Sequence, residues 1–148
     1  MLKCRIAKLV GDELYCSEGE SKLEFYEAIY KAKKGTLKII KEGKELSWLE
    51  ALLQKTKNDQ NAWIIFSVYY DLIERGRKTR EGPFPNTLEL ISDGKPYAIV
   101  FVVEETVRFK VEQIAEWLDI SRRLGKDSII AIVDKHGDVS YYIMERFA

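Results

Sequence analysis

The stretch Tyr97-Ala98-Ile99-Val100-Phe101-Val102-Val103 is apolar throughout and decides the class of fold. A strand that faces water on one side alternates apolar and polar residues, whereas a strand covered on both faces is continuously apolar. We therefore predict that residues 97–103 form a central strand. A second buried strand is predicted at 128–133, and the intervening residues 111–124 have the apolar spacing of a helix.

Two further strands flank this pair. Leu88–Ile91 precedes the central strand and is joined to it by the turn Asp93-Gly94, while residues 139–147 follow the second buried strand after the turn Asp134–Asp138. The order strand, strand, helix, strand, strand predicts an α/β domain with a mixed sheet.

Residues 1–57 predict a smaller α+β module that precedes this domain. Its elements are a hairpin that turns at Gly11-Asp12, a helix that ends at Gly35, a short strand, and a second helix. Ser47 begins that second helix, because Ser47-Trp48-Leu49-Glu50 is a capping box. The second domain then covers 58–148, with the boundary on a helix over 58–76.

Composition excludes several classes of protein. Of the 148 residues, 46% are hydrophobic and 32% are charged, so the chain has enough apolar surface for a core and is not intrinsically disordered. No apolar run is long enough to span a bilayer, and we expect a soluble, cytoplasmic protein with no membrane partner. The net charge is zero, which does not by itself indicate a nucleic-acid binder. In such a protein we expect Cys4 and Cys16 to be free thiols.

The chain offers few groups for catalysis. His136 is the only histidine, and its surroundings predict an exposed turn rather than a catalytic site. No Cys/His cluster has metal-ligand spacing, and neither a glycine-rich phosphate loop nor a nucleophile elbow is present. We therefore expect neither a metal nor a cofactor.

Two segments resemble the archaeal tRNA-intron endonucleases. That family carries a Tyr-x-x-Leu-x-x-Arg-Gly-Tyr-x-x-(Lys/Arg)-x-Gly segment, and later a lysine before an apolar strand that is followed by Gly-Asp-(Val/Ile)-x-Tyr-Tyr. The corresponding segments here are Tyr69-Tyr70-Asp71-Leu72-Ile73-Glu74-Arg75-Gly76-Arg77-Lys78-Thr79-Arg80-Glu81-Gly82 and residues 126–142. Residues 1–57 are similar to the family's N-terminal domain. The resemblance implies a restriction-endonuclease-like fold for the α/β domain.

The resemblance also implies a reaction on precursor tRNA. These enzymes cut a bulge-helix-bulge RNA without a metal, leaving a 2′,3′-cyclic phosphate and a 5′-hydroxyl. A tyrosine base and a histidine acid move the protons, and a lysine steadies the transition state. The tyrosine position falls here on Ile91 and the histidine position on Gly94, while the lysine matches Lys126. Lys126 is therefore either a retained site cation or a solvated lysine before a strand.

Without the two proton carriers, the resemblance implies a non-catalytic, structural subunit. Its expected partner is a catalytic subunit of similar fold, in an (αβ)₂ heterotetramer. Three groups of residues are candidates for contacts in that assembly. They are a subunit-docking loop at Asp134, His136, Gly137 and Asp138; a dimer edge strand at Val139, Tyr141, Tyr142, Ile143 and Met144; and a basic segment at Arg75, Arg77, Lys78 and Arg80 that is expected to meet RNA or the partner.

Two alternatives remain open from the sequence. One is a catalytically active, metal-dependent nuclease, although neither Leu88–Ile91 nor Tyr97–Val103 contains the (Asp/Glu)-x-Lys triplet of such enzymes. The other is a protein-interaction domain unrelated to RNA. For Asp134, Gly137 and Asp138 a purely local role in forming the turn is also open.

Overall fold

The structure is a computed structural model that describes residues 4–106 and 111–144. The chain divides into two compact units, Met1–Trp63 and Ile64–Ala148. Leu2 and the residues after Met144, which the sequence places in the first and last strands, lie outside the described residues. Within the described ranges, no helix is both long and apolar enough to cross a membrane.

The first unit is a four-stranded sheet with two helices. In chain order the elements are β1 (Ile6–Val10), β2 (Glu13–Cys16), α1 (Phe25–Lys33), β3 (Lys38–Lys41), β4 (Lys44–Leu46) and α2 (Trp48–Thr56). The strand order is β2-β1-β3-β4, and β1 runs parallel to β3 and antiparallel to β2. The predicted α+β module is thus present, with β4 as an additional strand.

One face of this sheet carries the core of the unit. Along β1, Ala7 and Leu9 are buried whereas Ile6 and Val10 are exposed, the alternation of a sheet covered on one side. The two helices are further linked by cations over aromatic rings. Lys33 Nζ lies 4.4 Å from the centre of the Trp48 ring, and Lys55 Nζ lies 4.9 Å from that of Phe25.

The predicted capping box at α2 is confirmed. The Ser47 hydroxyl accepts the Glu50 N–H at 3.1 Å, and the Glu50 carboxylate accepts the Ser47 N–H at 3.0 Å. These bonds hold the pKa of Glu50 below its usual value. By contrast, α1 begins at Phe25, later than predicted from Glu20-Ser21. The intervening residues extend beside β2, where the Leu23 N–H donates to the Leu14 carbonyl.

The prediction of two free thiols is wrong, because Cys4 and Cys16 form a disulfide. Their Cα atoms are 5.8 Å apart. Cys16 ends the hairpin opposite Ala7, and the Ser17 N–H donates to the Ile6 carbonyl, so the two strands stay close beyond their last paired residues. The expectation rested on the usual reducing state of the cytosol. Pairing also requires the two Cα atoms to lie close together, and sequence spacing does not reveal that distance.

The second unit contains a five-stranded mixed sheet, as predicted. The elements, beginning with the helix that crosses the division between the units, are α3 (Ala62–Glu74), β5 (Thr79–Glu81), β6 (Thr87–Ser92), β7 (Lys95–Glu104), α4 (Val111–Arg123), β8 (Asp127–Val133) and β9 (Val139–Met144). The strand order follows the chain, and among these five strands only β7 and β8 pair in parallel.

Strand β7 is central and is buried on both faces. The stretch Ala98–Val102 exposes no residue by more than 4%. On one face the Trp117 ring of α4 stacks on Phe101, with 4.8 Å between ring centres. On the other face, the Tyr141 hydroxyl of β9 donates to Asp71 of α3 at 2.6 Å. Tyr141 and Phe101 lie on opposite faces, because Phe101 is in register with Tyr142 through Ile130.

Two local features differ from the prediction for the second domain. Helix α3 begins at Ala62 rather than near 58, because the Asp59 carboxylate accepts the Asn61 N–H and holds a turn before the helix. Strand β5 is absent from the prediction, since a polar three-residue segment gives little strand signal. It pairs with β6, and a loop closed by Thr87 follows it, with the Thr87 hydroxyl donating to the Phe84 carbonyl at 2.6 Å.

The disulfide predicts that the first unit is sensitive to reductant. We expect Cys4→Ser to lower the free energy of unfolding by about 3 kcal/mol, because a cross-link that closes a loop of this size restricts the unfolded chain. Chemical denaturation with and without dithiothreitol measures the effect. Reductant should destabilise the wild-type chain and leave Cys4→Ser unchanged; equal stability of the oxidised and reduced wild type would contradict the prediction.

Candidate functional site

The positions that the family resemblance assigns to the proton carriers lie on the hairpin of β6 and β7. Ile91 is near the end of β6 and is half-buried. The register of the hairpin shifts after Leu90, which faces Ala98, while Ile91 faces Pro96. Tyr97 is thus the extra residue of a β-bulge. Bulges re-aim side chains at the ends of sheets, and here the bulge sets Tyr97 beside Ile91.

Gly94 occupies a tight two-residue turn. Ser92 pairs with Lys95, and the two residues between them, Asp93 and Gly94, have φ values of 52° and 76°. Positive φ at both positions is what a type I′ hairpin turn requires, and Asp-Gly is one of its preferred sequences. The backbone at Gly94 therefore disfavours any residue with a β-carbon, including histidine.

Lys126 is held by a buried carboxylate. Its Nζ lies 2.6 Å from Glu89 Oε2, and Arg80 Nε lies 3.3 Å from the other Glu89 oxygen. The Glu89 side chain is only 6% exposed and that of Lys126 only 17%. Of the two roles left open for Lys126, that of a solvated lysine does not fit this burial. Lys126 serves as the counter-ion that makes burial of Glu89 tolerable.

A groove of about 580 Å³ opens beside Ile91 and Tyr97. We call it the hairpin groove. Its lining residues are Gly76, Arg77, Lys78, Ile91, Ser92, Asp93 and Tyr97. The Ile91 N–H donates to the Lys78 carbonyl at 3.0 Å, which fixes the basic segment along one side of the groove.

The four residues of the predicted basic segment divide into two pairs. Arg75 contacts Asp71 at 2.8 Å and lies over the Tyr141 ring, while Arg80 contacts Glu89. Arg77 and Lys78 are exposed and line the groove, and neither forms an ion pair with any residue in the described part of the chain. Only these two are therefore free to meet a ligand.

The predicted docking loop is an exposed turn closed by Asp134. The Asp134 carboxylate accepts the N–H groups of His136 at 2.8 Å and Asp138 at 3.0 Å, and the Gly137 N–H donates to the Asp134 carbonyl. Asp134 is thus engaged in forming the turn. The Asp138 side chain is exposed and makes no ion pair with the residues described here. His136 lies on the exposed turn, as expected.

Strand β9 is an edge of the sheet, and its side chains face in two directions. Tyr142 is 56% exposed and Ile143 is 73% exposed. Tyr141 is instead tied to Asp71 across the face of the sheet. Burial, with the hydrogen bond to Asp71, raises the pKa of Tyr141 far above its usual value. Its phenol is therefore a hydrogen-bond donor and not a base at neutral pH.

No local pattern in the sequence indicates the role of Glu89. In Leu88-Glu89-Leu90-Ile91 the alternation of apolar and charged residues is typical of a half-exposed strand, in which Glu89 would face water. Glu89 is buried instead, because Arg80 on the adjacent strand and Lys126 from before β8 both contact its carboxylate. Among the residues that the structure describes, no three His, Cys, Asp or Glu side chains are grouped in a way that would hold a metal ion.

The buried ion pair predicts a strong dependence of stability on Lys126. We expect Lys126→Met to lower the free energy of unfolding by about 3 kcal/mol, because it leaves the Glu89 carboxylate buried with only the partly exposed Arg80 beside it. Adding Glu89→Gln should recover most of the loss. Urea denaturation measures both, with Lys135→Met as the control for an exposed lysine. A loss that the second substitution does not relieve would contradict the prediction.

Comparisons with known proteins agree with the resemblance described above. Residues 62–141 match the model of the tRNA intron endonuclease catalytic C-terminal domain. A tRNA-splicing endonuclease of Thermococcus onnurineus is 30% identical over 86% of this chain and 77% of its own length. One of Pyrococcus furiosus is 28% identical, over 83% of this chain and 74% of its own. A tRNA-splicing endonuclease of Methanococcus maripaludis is 29% identical, over 82% and 73%. The chain therefore belongs to the tRNA-intron endonuclease family.

Proposed function

We propose that this chain is a structural subunit of a tRNA-splicing endonuclease. In that role it docks and positions a catalytic subunit of similar fold within an (αβ)₂ heterotetramer. The assembly cuts precursor tRNA at bulge-helix-bulge sites and leaves 2′,3′-cyclic phosphate and 5′-hydroxyl ends. The observation that carries the proposal is the occupation of the two proton-carrier positions by Ile91 and by Gly94 in a tight turn.

The energetics of proton transfer support an inactive chain. A positioned general acid or base contributes about 10²- to 10⁴-fold to rate, so loss of both removes several orders of magnitude. Neither Ile91 nor Gly94 carries a group that transfers protons. Lys126, the matched lysine, already neutralises Glu89 at 2.6 Å and is poorly placed to stabilise a phosphorane as well.

The single histidine of the chain, His136, does not replace the missing acid. His136 follows the end of β8 that is remote from Lys126, and the seven residues of that strand separate them by about 20 Å. Tyr97 lines the hairpin groove, but a single phenol supplies one proton carrier and the reaction uses two.

Two exposed features support assembly with another subunit. The turn 134–138 presents Asp138 to solvent, and a carboxylate that enters a basic pocket provides docking specificity. Strand β9 is an open edge with exposed Tyr142 and Ile143. An uncovered apolar edge promotes aggregation, so a partner strand would protect it.

We expect the purified chain to cut no bulge-helix-bulge RNA, with or without magnesium, and a mixture with a catalytic subunit to cut it. Gel analysis of an end-labelled substrate measures cleavage. The ends of the products test the chemistry, since the proposal requires cyclic phosphates. Cleavage by the isolated chain would overturn the structural role and, if it needed magnesium, would favour the metal-dependent alternative.

We expect Asp138→Lys to weaken assembly at least 10-fold, because it inverts the exposed charge of the docking loop. Sedimentation velocity of the mixed subunits measures the complex. Glu18→Lys is the matched control, since it makes the same change of charge at an exposed turn of the first unit. An unchanged complex in Asp138→Lys would remove the docking role of this loop.

A further inference from the structure

We propose that the hairpin groove binds a single-stranded segment of RNA, with Arg77 and Lys78 on its phosphates and Tyr97 stacked on a base. The proposal deepens the proposed function and rests on it for the identity of the RNA. It assigns this chain a direct contact with the substrate in addition to its role in assembly.

The charges in the groove support binding of phosphates. Arg77 and Lys78 are adjacent in sequence, exposed, and unpaired with any residue of the described ranges, whereas Arg75 and Arg80 on either side are neutralised by carboxylates. The fold therefore leaves two cations of the basic segment available, and both line the same groove. Two neighbouring cations suit successive phosphates of a nucleic-acid backbone.

The aromatic residue supports binding of a base. Tyr97 is the extra residue of the β-bulge and is 37% exposed, although Ala98–Val102 directly after it are buried. An exposed aromatic ring beside free cations is the arrangement that single-strand-binding proteins use, because every base has a face that stacks. Bases within a duplex are already stacked, so the ligand is an unpaired segment.

The polar groups of the groove fit the donor groups of a ribonucleotide. Ser92 and Asp93 also line it. The Asp93 carboxylate repels the phosphates of RNA as it repels the carboxylates of a peptide, so it suits the neutral donor groups of a ligand rather than its anionic groups. A ribonucleotide offers the 2′-hydroxyl and base amino groups as donors. The volume, about 580 Å³, is in the range of small-ligand sites and suits a nucleotide or two.

Binding of a fluorescein-labelled oligouridylate to the full chain tests the proposal. Fluorescence anisotropy is measured at several salt concentrations for the wild type, for Arg77→Gln/Lys78→Gln and for Tyr97→Leu. The matched control is Lys38→Gln/Lys44→Gln, which removes two exposed charges from the first unit. Tyr97→Phe keeps the ring, and circular dichroism checks that each variant folds.

We expect the Arg77/Lys78 variant to bind at least 10-fold more weakly, with a salt dependence whose logarithmic slope falls by about 1.4, since each phosphate contact on a single strand contributes about 0.7. Tyr97→Leu should lose about 5- to 100-fold in affinity and Tyr97→Phe almost none. The Lys38/Lys44 variant should keep the wild-type slope.

Absence of binding by the wild type, or equal losses in the groove and control variants, would overturn the proposal. Preferential binding of a labelled oligoglutamate would overturn it in favour of a protein ligand. None of these results contradicts the proposed function, because the proposed function is tested by cleavage of RNA in the mixture of subunits. A mixture that fails to cut while the groove still binds oligouridylate would reject the structural-subunit role alone.

Discussion

Burial of Ala98–Val102 on both faces is the constraint on which the second unit depends. A strand in this position satisfies its backbone only through its neighbours, so β6 and β8 must pair along most of its length. Helices on opposite faces then complete the cover, through Trp117 on one side and Asp71 on the other. The candidate site forms where this burial ends, at the bulge that brings Tyr97 to the surface.

Electrostatic pairing within the chain determines which charges remain available. Burial of the Glu89 carboxylate costs free energy, and the two cations that contact it offset that cost. The charges of these cations are then no longer available to a ligand. Lys126 is therefore largely buried against Glu89. Although it matches the family's site lysine, its charge is already paired. Arg77 and Lys78 stay available because no carboxylate among the described residues reaches them. The surface chemistry of the unit follows from these internal pairings.

Local patterns predicted the architecture well, because hairpin turns and buried strands have strong sequence signals. The turns at Gly11-Asp12 and Asp93-Gly94 and the Ser47 capping box all lie where the sequence places them. The predictions that failed concern contacts that form only in the folded structure. The Cys4–Cys16 disulfide and the burial of Glu89 depend on residues brought together by folding, which no local pattern reveals. For the same reason, the sequence grouped four basic residues that the structure separates into bound and unbound pairs.

The turn at Asp93-Gly94 has an evolutionary consequence. If an ancestor carried imidazole at this place, as the family resemblance implies, the backbone no longer suits it, because the main chain at Gly94 has a positive φ. A point mutation to histidine at Gly94 would force a β-carbon into the left-handed region, at a cost of about 1–3 kcal/mol. Restoring an imidazole at this place would therefore cost stability that its replacement by glycine did not. A longer connection between the two strands would hold a histidine there without that cost.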